Sequence, residues 1–341
     1  MSAIALDASN LVVGYRQRRL KRPVLPALDL AVRAGEFVCL LGPNGAGKST
    51  LLRTLATVQR PLAGQLRIGG AEVSTLRQVE IGRRIGLVQT ERLDVGALTA
   101  YAVVSLGRYP HVGWGGHLGP ADHAAVRRAL DNVGAAHLAH RDIGELSDGE
   151  RQRINIARAL AQEPAILILD EPTAFLDIGS RVELMGLLRR LARESGLAVV
   201  ASTHDLDLAL RSADTVWLMS FGRLQTGAPE DLVFGGEFEA AFGSERIAFR
   251  TDERTFRLRT GSGRPAIVRG DGLSAILAGA VLEREGWAMV AEPSAGTLVV
   301  TAGPANGEWR AEMGGTIARG STYAELATLA RRLPEHTLST V

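Results

Sequence analysis

The sequence predicts an α/β fold with a mostly parallel sheet at its centre. Three apolar runs, at residues 37–41, 165–169 and 197–202, are typical of strands that are buried on both faces. A strong helical pattern at residues 151–161 precedes the second run, and a glycine-rich stretch at residues 42–50 follows the first. In such sheets the functional residues lie at the carboxyl ends of the strands.

Length and composition set wide limits. At 341 residues the chain can hold one large domain and an appendage, and its 46% apolar content can fill a sizeable core. The formal net charge of +2 gives no reason to expect a nucleic-acid partner. Residues 1–10 lack a signal-peptide pattern, and no uncharged apolar stretch, such as residues 95–107, reaches the roughly 18 residues of a membrane span. The only cysteine in the sequence, Cys39, is expected to be a small buried residue in a soluble, cytoplasmic protein.

Residues 42–50, Gly-Pro-Asn-Gly-Ala-Gly-Lys-Ser-Thr, match the pattern G-x-x-x-x-G-K-[ST] between a strand and a helix. The glycines let backbone N–H groups converge on an anion, and the helix N-terminus points its positive end at the same place. Lys48 would reach the β- and γ-phosphates of a nucleoside triphosphate, and the Ser49 hydroxyl would hold Mg²⁺. Among 39 Lys and Arg residues the sequence has two lysines, Lys21 and Lys48, which supports a special role for Lys48. The predicted phosphate-binding residues are Gly42, Pro43, Asn44, Gly45, Ala46, Gly47, Lys48, Ser49 and Thr50.

Two carboxylates, Asp170 and Glu171, follow the apolar run 165–169 directly. Unpaired charges at the end of a buried strand are costly, so a bound cation explains one of them better than packing does. We expect Asp170 to hold Mg²⁺ and Glu171 to polarise the attacking water. His204 follows the run 197–202 at the same edge of the sheet, where a contact with the γ-phosphate is favoured over a structural role.

The N-terminal part is predicted to contain short strands at residues 4–6, 11–13 and 28–32. Tyr15 follows the second of these strands and could stack on an adenine ring, although packing is the commoner role of a lone tyrosine at a strand end. Residues 16–22 contain a cluster of basic side chains. A solvated loop is the simpler interpretation of that cluster, and a contact with an anionic surface is the alternative.

Residues 98–139 have an alanine-rich helical pattern that is interrupted at residues 107–116. The interruption mixes Gly, Pro, aromatic and His residues and is too polar for a core. We therefore expect an exposed loop that contacts a partner. Tyr109 and Trp114 are its predicted anchors, with packing of the helical subdomain as the alternative, and Arg108 is expected to pair with an acid or with a helix C-terminus.

The order of these motifs resembles that of the ATP-binding cassette (ABC) ATPases, from about residue 4 to residue 242. The match consists of the phosphate loop, a signature-like Leu-Ser-Asp-Gly-Glu at residues 146–150, the carboxylate pair after an apolar strand, and the later histidine. The resemblance implies a P-loop nucleoside triphosphatase fold with a mixed sheet core, an antiparallel β-subdomain and a helical subdomain at about residues 91–145. It also implies an ATPase domain at residues 1–243.

In that family two cassettes meet head to tail, and each ATP lies between the phosphate loop of one protomer and the signature helix of the other. The resemblance therefore implies a homodimer that binds ATP and Mg²⁺. Ser147 and Gly149 would contact the γ-phosphate held by the opposite protomer, and Asp177 would lie in the turn that crosses the dimer interface. Tyr15 would stack on adenine, and His204 would be the switch histidine.

The sequence departs from the family pattern in two places. The signature has Asp148 and Glu150 where the family usually has Gly and Gln, and we expect the Asp148 charge to point away from the phosphate or to be paired. The same stretch also forms a capping-box pattern, which is the structural alternative. The family's glutamine falls at Thr90, one position after Gln89. We predict Gln89 as a ligand of the nucleotide and of Mg²⁺, with Thr90 and Glu91 as the alternative.

Gly-Arg-Tyr-Pro-His at residues 107–111 resembles the ATPases of importers for iron–siderophore, haem and cobalamin. This resemblance implies membrane permease subunits as partners, an indirect link to a substrate-binding protein, and a peripheral position on the cytoplasmic side of the inner membrane. It does not identify the cargo. One alternative is a soluble ABC ATPase that acts on ribosomes or DNA, but a single cassette without a large excess of basic residues makes this less favoured. The other is a nucleotide-binding regulator without turnover, which the intact catalytic residues disfavour.

Residues 244–341 lie beyond the resemblance and are predicted to form a small α+β appendage. Strand patterns occur at residues 247–258, 288–291, 297–301 and 308–313, helical patterns at 273–285 and 323–333, and a linker-like Gly-Ser-Gly at 261–263. The sequence is compatible with two roles for this extension. A packing or dimer-stabilising extension and a ligand-sensing module are the two alternatives.

Overall fold

The computed structural model describes residues 2–17, 20–90, 97–112, 116–220, 222–244, 247–251, 254–258, 263–303 and 307–333. The chain forms two compact units. The N-terminal unit comprises residues 1–243 and 249–256, and the C-terminal unit comprises residues 244–248 and 257–341. Residues 249–256 therefore belong to the N-terminal unit, although they follow the predicted boundary after residue 243. Glu91, Trp114 and most of the linker-like stretch at residues 261–263 lie outside the described residues.

Strands and helices alternate through most of the N-terminal unit. Its strands are β1 (Ile4–Val12), β2 (Gly14–Gln17), β3 (Leu20–Pro23), β4 (Leu28–Arg33), β5 (Phe37–Leu41), β6 (Ala63–Ile68), β7 (Ala71–Glu72), β8 (Ile85–Val88), β9 (Ile166–Leu169), β10 (Ala198–Ser202), β11 (Thr215–Ser220) and β12 (Arg223–Gly227). Its helices are α1 (Lys48–Leu55), α2 (Gln78–Gly82), α3 (Ala100–Ser105), α4 (Pro120–Asn132), α5 (Asp148–Leu160), α6 (Ile178–Ser195), α7 (Leu206–Ser212), α8 (Pro229–Phe234) and α9 (Glu237–Phe242).

A six-stranded sheet forms the centre of this unit, in the order β12-β11-β5-β10-β9-β8. Its strands pair in parallel except for β11 and β12, which are antiparallel. Every residue of β5, β9 and β10 is buried, as the uninterrupted apolar runs predicted. Alternate residues of β5 face two different cores: Val38 and Leu40 pack with α1 and the antiparallel sheet, and Phe37 and Cys39 pack with α6 and α7. The predicted α/β fold is confirmed.

The antiparallel sheet has the order β4-β1-β6-β7. The prediction of two short strands at residues 4–6 and 11–13 is wrong, because β1 runs without a break from Ile4 to Val12. The polar residues between the two apolar segments suggested a turn. In the sheet β1 is an inner strand that pairs with β4 on one edge and β6 on the other. The register of both pairings shifts near Asn10, whose φ of 49° accommodates a bulge in the strand.

Helices α3 and α4 lie within the predicted helical part and pack on each other and on α5, and a short 3₁₀ turn follows α3 at Leu106–Arg108. The expectation that residues 107–116 form an entirely exposed loop is wrong at its start, because Gly107 and Arg108 are buried. The Arg108 guanidinium donates to Asp122 Oδ1 at 2.9 Å, to Glu163 Oε2 at 2.8 Å and to the Ala161 carbonyl, after the last turn of α5, at 2.6 Å. Charge-assisted hydrogen bonds on every side let an arginine occupy a core position that its polarity alone argues against.

The remaining strands are β13 (Ile247–Arg250), β14 (Thr255–Leu258), β15 (Arg264–Arg269), β16 (Trp287–Met289), β17 (Leu298–Ala302), β18 (Trp309–Met313) and β19 (Thr316–Gly320), with helices α10 (Gly272–Arg284) and α11 (Tyr323–Arg332). The single strand predicted at residues 247–258 is instead the hairpin of β13 and β14. Phe249 and Phe256 of this hairpin pack against Phe238 and Phe242 of α9, which explains why its tip belongs to the N-terminal unit.

The C-terminal unit contains a five-stranded sheet in the order β16-β15-β17-β18-β19. Its core comprises Trp287, Leu298, Val300 and Trp309 from the sheet together with side chains of α10 and α11. Strands β15 and β19 were not predicted from the sequence. Both strands carry arginines and end near glycines, so neither has an uninterrupted apolar pattern, and tertiary pairing decides their structure.

The buried contacts of Arg108 predict a specific loss of stability. We expect Arg108→Met to lower the melting temperature by roughly 5–10 °C, since it leaves the Ala161 carbonyl and two carboxylates without their buried partner. Arg128→Met is the matched control, because Arg128 also pairs with Glu163 at 2.8 Å but is 61% exposed, whereas Arg108 is 5% exposed. Thermal unfolding monitored by circular dichroism measures both. Equal losses for the two variants would show that burial of Arg108 is not the cause.

The difference between wild type and Arg108→Met should also depend on pH. The N–H of Gly119 and then Arg108 lower the pKa of Asp122; burial tends to raise the pKa of Glu163, but hydrogen bonds from Arg108 and Arg128 outweigh it and lower that pKa. A carboxyl whose folded-state pKa is lowered stabilises the fold above its unfolded-state pKa, and this contribution is lost as the pH falls through the folded-state value. We therefore expect the difference in melting temperature to shrink below about pH 4. A difference that stays constant down to pH 3 would contradict this.

Candidate functional site

The phosphate loop connects β5 to α1, and its backbone conformation requires glycine. Gly42, Gly45 and Gly47 have φ values of 155°, 78° and 103°, which side chains with a Cβ rarely adopt. A Cβ on Gly47 would lie 2.2 Å from Val24 Cγ1, so that position also lacks space for a side chain. The loop can therefore turn its N–H groups inward only with this glycine spacing.

Lys48, the first residue of α1, folds back over the loop. Its Nζ donates to the Gly42 carbonyl at 2.8 Å and to the Pro43 carbonyl at 3.3 Å, and the residue is almost completely buried. Burial lowers the pKa of the ammonium, and the charges of Glu171 and Asp170 partly oppose that shift. A cation is thus held among the loop carbonyls and faces the two carboxylates predicted to act in the same site.

The carboxyl ends of β5, β9 and β10 lie side by side because these strands are parallel and in register. Asp170 follows β9, and Ser202 is the last residue of β10. The Ser202 hydroxyl donates to Asp170 Oδ1 at 2.8 Å and accepts the backbone N–H of Glu171 at 2.8 Å. The hydroxyl has a single proton, which it gives to Asp170, and its lone pair accepts from the Glu171 N–H. This fully buried serine therefore orients the Asp170 carboxylate and fixes the backbone of Glu171.

Glu171 has a φ of 50°, in the left-handed region that residues other than glycine seldom occupy. Such a conformation costs on the order of 1 kcal/mol and is concentrated at functional sites. Its Oε1 lies 2.6 Å from Nε2 of His204, which follows β10. Both side chains are partly exposed, so the predicted catalytic pair reaches solvent at the same edge of the sheet as the phosphate loop.

Gln89 and Thr90 follow β8, next to Asp170. Asp170 donates its backbone N–H to the Val88 carbonyl at 2.9 Å, which brings the two chain segments together. The Thr90 hydroxyl donates to the Asp170 carbonyl at 2.7 Å, whereas the Gln89 side chain is exposed. Thr90 therefore braces the strand end, and Gln89 is the one of the two that can turn towards a ligand.

Tyr15 lies on β2, in the two-stranded sheet with β3. Its hydroxyl is 2.7 Å from Oγ1 of Thr50, a residue of α1, so Thr50 is engaged by the hairpin. The Tyr15 ring is about half exposed beside the helix that follows the phosphate loop. The exposed part of the ring is available for stacking.

Ser147 and Gly149 belong to another part of the unit, the start of α5, which packs against α3, α4 and β8. Ser147 caps this helix: its N–H and hydroxyl donate to Glu150 Oε2 at 2.8 and 2.9 Å, so the capping box noted in the sequence is formed. Asp148 pairs with Arg151 at 2.8 Å, as expected for a charge placed beside a phosphate site.

Asp177 caps the neighbouring helix α6 by accepting the Ser180 N–H at 2.8 Å and the Ser180 hydroxyl at 2.9 Å. The Ser180 N–H is the main cause that lowers the pKa of Asp177. A Cβ added to Gly149 would lie 3.3 Å from Ser180 Oγ, so the N-termini of α5 and α6 are adjacent. The structure thus forms two groups: the loop, Asp170, Glu171 and His204 at the sheet edge, and the paired helix N-termini.

Ser202 is a further candidate site residue, one not predicted from the sequence. It stands in an apolar strand and looked like one small residue among others. Because every residue of β10 is buried, the pattern of the strand does not distinguish Ser202 from its neighbours. Only the register of β10 against β9 shows that Ser202 lies beside Asp170 and Glu171.

The fold and the site define a nucleoside triphosphatase built round a phosphate loop. Residues 25–174 match the family model of the ABC transporter. The chain is 42% identical over 229 residues to an uncharacterised ABC transporter ATP-binding protein of Methanocaldococcus jannaschii, a match that covers 67% of this chain and 78% of that protein. The chain therefore belongs to the ABC transporter family.

Two further relatives have named roles. The ferric enterobactin transport ATP-binding protein FepC of Escherichia coli K12 is 37% identical over 243 residues, which cover 71% of this chain and 88% of FepC. The cobalamin import ATP-binding protein BtuD of Halobacterium salinarum is 40% identical over 253 residues, which cover 74% of this chain and 62% of that protein.

Solved structures give the same result. CbiO1 from Clostridium perfringens, part of the ABC transporter complex cbiONQ, matches with a TM-score of 0.60 and 28% identity over 70% of this chain and 96% of that one. A dimeric ATP-binding cassette bound to ADP and Pi matches with a TM-score of 0.56 and 27% identity over 66% and 98%. As an ABC ATPase the chain binds and hydrolyses ATP, and cassettes of this family dimerise and work with membrane permease subunits.

The Ser202 contacts predict a loss of turnover. We expect Ser202→Ala to lower kcat for ATP hydrolysis by roughly 10–100-fold, because Asp170 and the strained Glu171 backbone both lose their hydrogen-bond partner. The KM for ATP should change little, since the phosphate loop is untouched. Ser202→Thr keeps the hydroxyl and should recover much of the activity. Steady-state kinetics of the three proteins test this; a wild-type kcat for Ser202→Ala would remove Ser202 from the site.

Proposed function

We propose that this protein is the ATP-hydrolysing subunit of an importer for metal-chelate cargo of the iron–siderophore, haem or cobalamin class. The contact between Glu171 and His204 beside the phosphate loop is the observation that carries the catalytic part of this proposal. The identities to FepC and BtuD support the cargo class, together with Gly-Arg-Tyr-Pro-His at residues 107–111.

In the proposed mechanism the loop N–H groups and Lys48 hold the β- and γ-phosphates, and the Tyr15 ring stacks on adenine. Glu171 accepts a proton from the attacking water, and His204 orients Glu171 and contacts the γ-phosphate. Ser147 and Gly149 of a second protomer bring a further helix N-terminus to the same phosphate, and Asp177 lies at the contact between the protomers. The triphosphate is then neutralised from both sides and joins the two chains.

The site also fits a magnesium ion. Ser49, Asp170 and Gln89 offer a hydroxyl, a carboxylate and an amide oxygen, and Mg²⁺ prefers oxygen ligands and usually takes one or two carboxylates besides phosphate oxygens. The described residues contain no cluster of three His, Cys, Asp or Glu side chains that would form an all-protein site. When bound, the ion would offset the charge of the phosphate oxygens.

We propose that the permease contacts the surface beside Gln89. Leu106 and Tyr109, three residues apart at the 3₁₀ turn, are 53% and 81% exposed, and Val79 on α2 is exposed as well. Arg83 Nε donates to the Pro110 carbonyl at 2.9 Å, which ties α2 to this loop. The hydrogen bonds of Arg108 hold this turn in place. The neighbouring Tyr109 is therefore well positioned to pack against a helix of the permease.

The proposed position of the chain is the cytoplasmic side of the inner membrane, where it is held by the permease, with an indirect link to a substrate-binding protein. Among the described residues, every helix falls short of the length and apolarity that a membrane crossing demands. Attachment through a permease accounts for a peripheral location.

Tyr109→Ala tests this function. We expect the isolated Tyr109→Ala subunit to keep its basal ATPase activity. With the permease in lipid vesicles, stimulation of that activity and ATP-driven uptake of a ferric siderophore, haem or cobalamin should fall at least about 10-fold. Phe234→Ala, an exposed aromatic residue on α8, is the matched control and should leave uptake intact. Wild-type uptake by Tyr109→Ala would refute the docking surface, and failure of all three cargoes with the wild-type subunit would refute the cargo class.

A further inference from the structure

Helix α10 of the C-terminal unit has an exposed apolar face. Residues 272–282 of this helix carry no charge. Leu273, Ile276 and Leu277 are 64%, 68% and 39% exposed, and Ala280 is exposed as well. Their spacing of three, four and seven residues places them on one side of the helix. We call these four residues the α10 stripe.

The C-terminal unit does not need the α10 stripe for its own core. The opposite side of α10 supplies Ala278, Val281 and Leu282, which pack with Trp287 and Leu298 of the sheet. The helix is therefore apolar on two sides. A helix that is apolar all round is normally buried on both sides, so the α10 stripe marks a second contact.

Helix α11 of the same unit provides an internal comparison. Its inner side carries Leu326, Ala327 and Ala330, and its outer side carries Glu325, Thr328, Arg331 and Arg332. This is the pattern of a helix with one side in solvent. Since two helices of one small unit differ in this way, the apolar outer side belongs to α10 specifically and not to the unit as a whole.

We propose that the α10 stripe of one chain packs against the α10 stripe of a second copy. ABC cassettes dimerise, so each particle contains two C-terminal units and two such stripes. A contact between identical surfaces must complement itself, and an uncharged apolar face does so without like-charge repulsion. Gly279 and Ala280 leave little side chain between two such helices and allow them to approach closely. This inference concerns assembly of the chain and does not depend on which cargo is imported.

A membrane surface fits the α10 stripe less well. Helices that lie in a lipid interface carry Lys and Arg on the side opposite to their apolar residues. The side of α10 opposite to the stripe is buried in the core and offers no basic residues to a lipid surface. The charged residues of the helix begin only at Glu283 and Arg284, in its last turn. Glu283 is itself paired with Arg257.

The size of the α10 stripe indicates a weak contact. A stable interface buries about 800 Å² per partner, and four side chains provide only part of that area. Two units held on one particle, however, have an effective concentration on the order of millimolar, so even a contact with a Kd of about 1 mM is substantially formed. Such a contact would hold the two C-terminal units together in a particle whose chains are also joined through ATP or through the permease subunits.

The first test measures dimerisation of the full chain without nucleotide by sedimentation equilibrium, at chain concentrations approaching the expected Kd of about 1 mM. We expect Ile276→Glu to raise the dimer Kd at least about 10-fold, because two glutamates would face each other in an apolar contact. Thr328→Glu on the outer side of α11 is the matched control and should leave the Kd unchanged. An unchanged Kd for Ile276→Glu would overturn the proposal. A lower melting temperature together with an unchanged Kd would show that the stripe packs inside its own chain, and this too would overturn it.

The second test uses disulfide formation. Cys39 is the only cysteine and is buried, so a new surface cysteine is the one reactive thiol. Cysteine is introduced singly in place of Leu273, Ile276, Leu277 and Ala280, and the nucleotide-free full chain is oxidised with copper phenanthroline. We expect at least one of these variants to form disulfide-linked dimers well above Thr328→Cys, because residues near the two-fold axis meet their own counterparts. Equal yields for all five variants would overturn the proposal.

Discussion

The parallel register of β5, β9 and β10 is the constraint on which the ATP site depends. It brings the phosphate loop after β5, Asp170 after β9 and His204 after β10 to one edge of the sheet. A buried lysine, two carboxylates and a histidine at that edge are costly unless each has a partner. Ser202 donates to Asp170 and the loop carbonyls accept from Lys48, so both charged side chains are hydrogen-bonded within the chain.

Several parts of this arrangement follow from the sequence. The phosphate loop is a local motif, and its glycines, Lys48 and Ser49 are recognisable because the backbone geometry admits few other residues. The carboxylate pair is recognisable because charges rarely follow a fully apolar strand. The family resemblance of the first two thirds of the chain, and with it the α/β fold, is confirmed by the comparisons. The roles given to individual site residues stay predictions.

Other features depend on contacts distant in sequence and were missed or misjudged. The sequence predicts that Arg108 pairs with an acid or with a helix C-terminus, and it pairs with both. The sequence also predicts that Arg108 lies in an exposed loop, which is wrong, because nothing nearby shows that Asp122, Glu163 and the end of α5 surround it. Ser202 gave no local signal. The two predicted strands at residues 4–6 and 11–13 are one strand, because pairing on both edges outweighs the polar residues between them. In each case tertiary partners, not local preference, decide the outcome.

The central claim is that ATP completes a site between two copies of this chain. Sedimentation velocity of Glu171→Gln with ATP tests it most directly. The account predicts that this variant binds ATP, hydrolyses it roughly 10²–10⁴-fold more slowly than wild type and accumulates as an ATP-dependent dimer. It also predicts that adding Ser147→Arg abolishes that dimer while ATP binding remains, since the second helix N-terminus can no longer reach the phosphate. A wild-type rate for Glu171→Gln, or an ATP-dependent dimer that tolerates Ser147→Arg, would contradict the account.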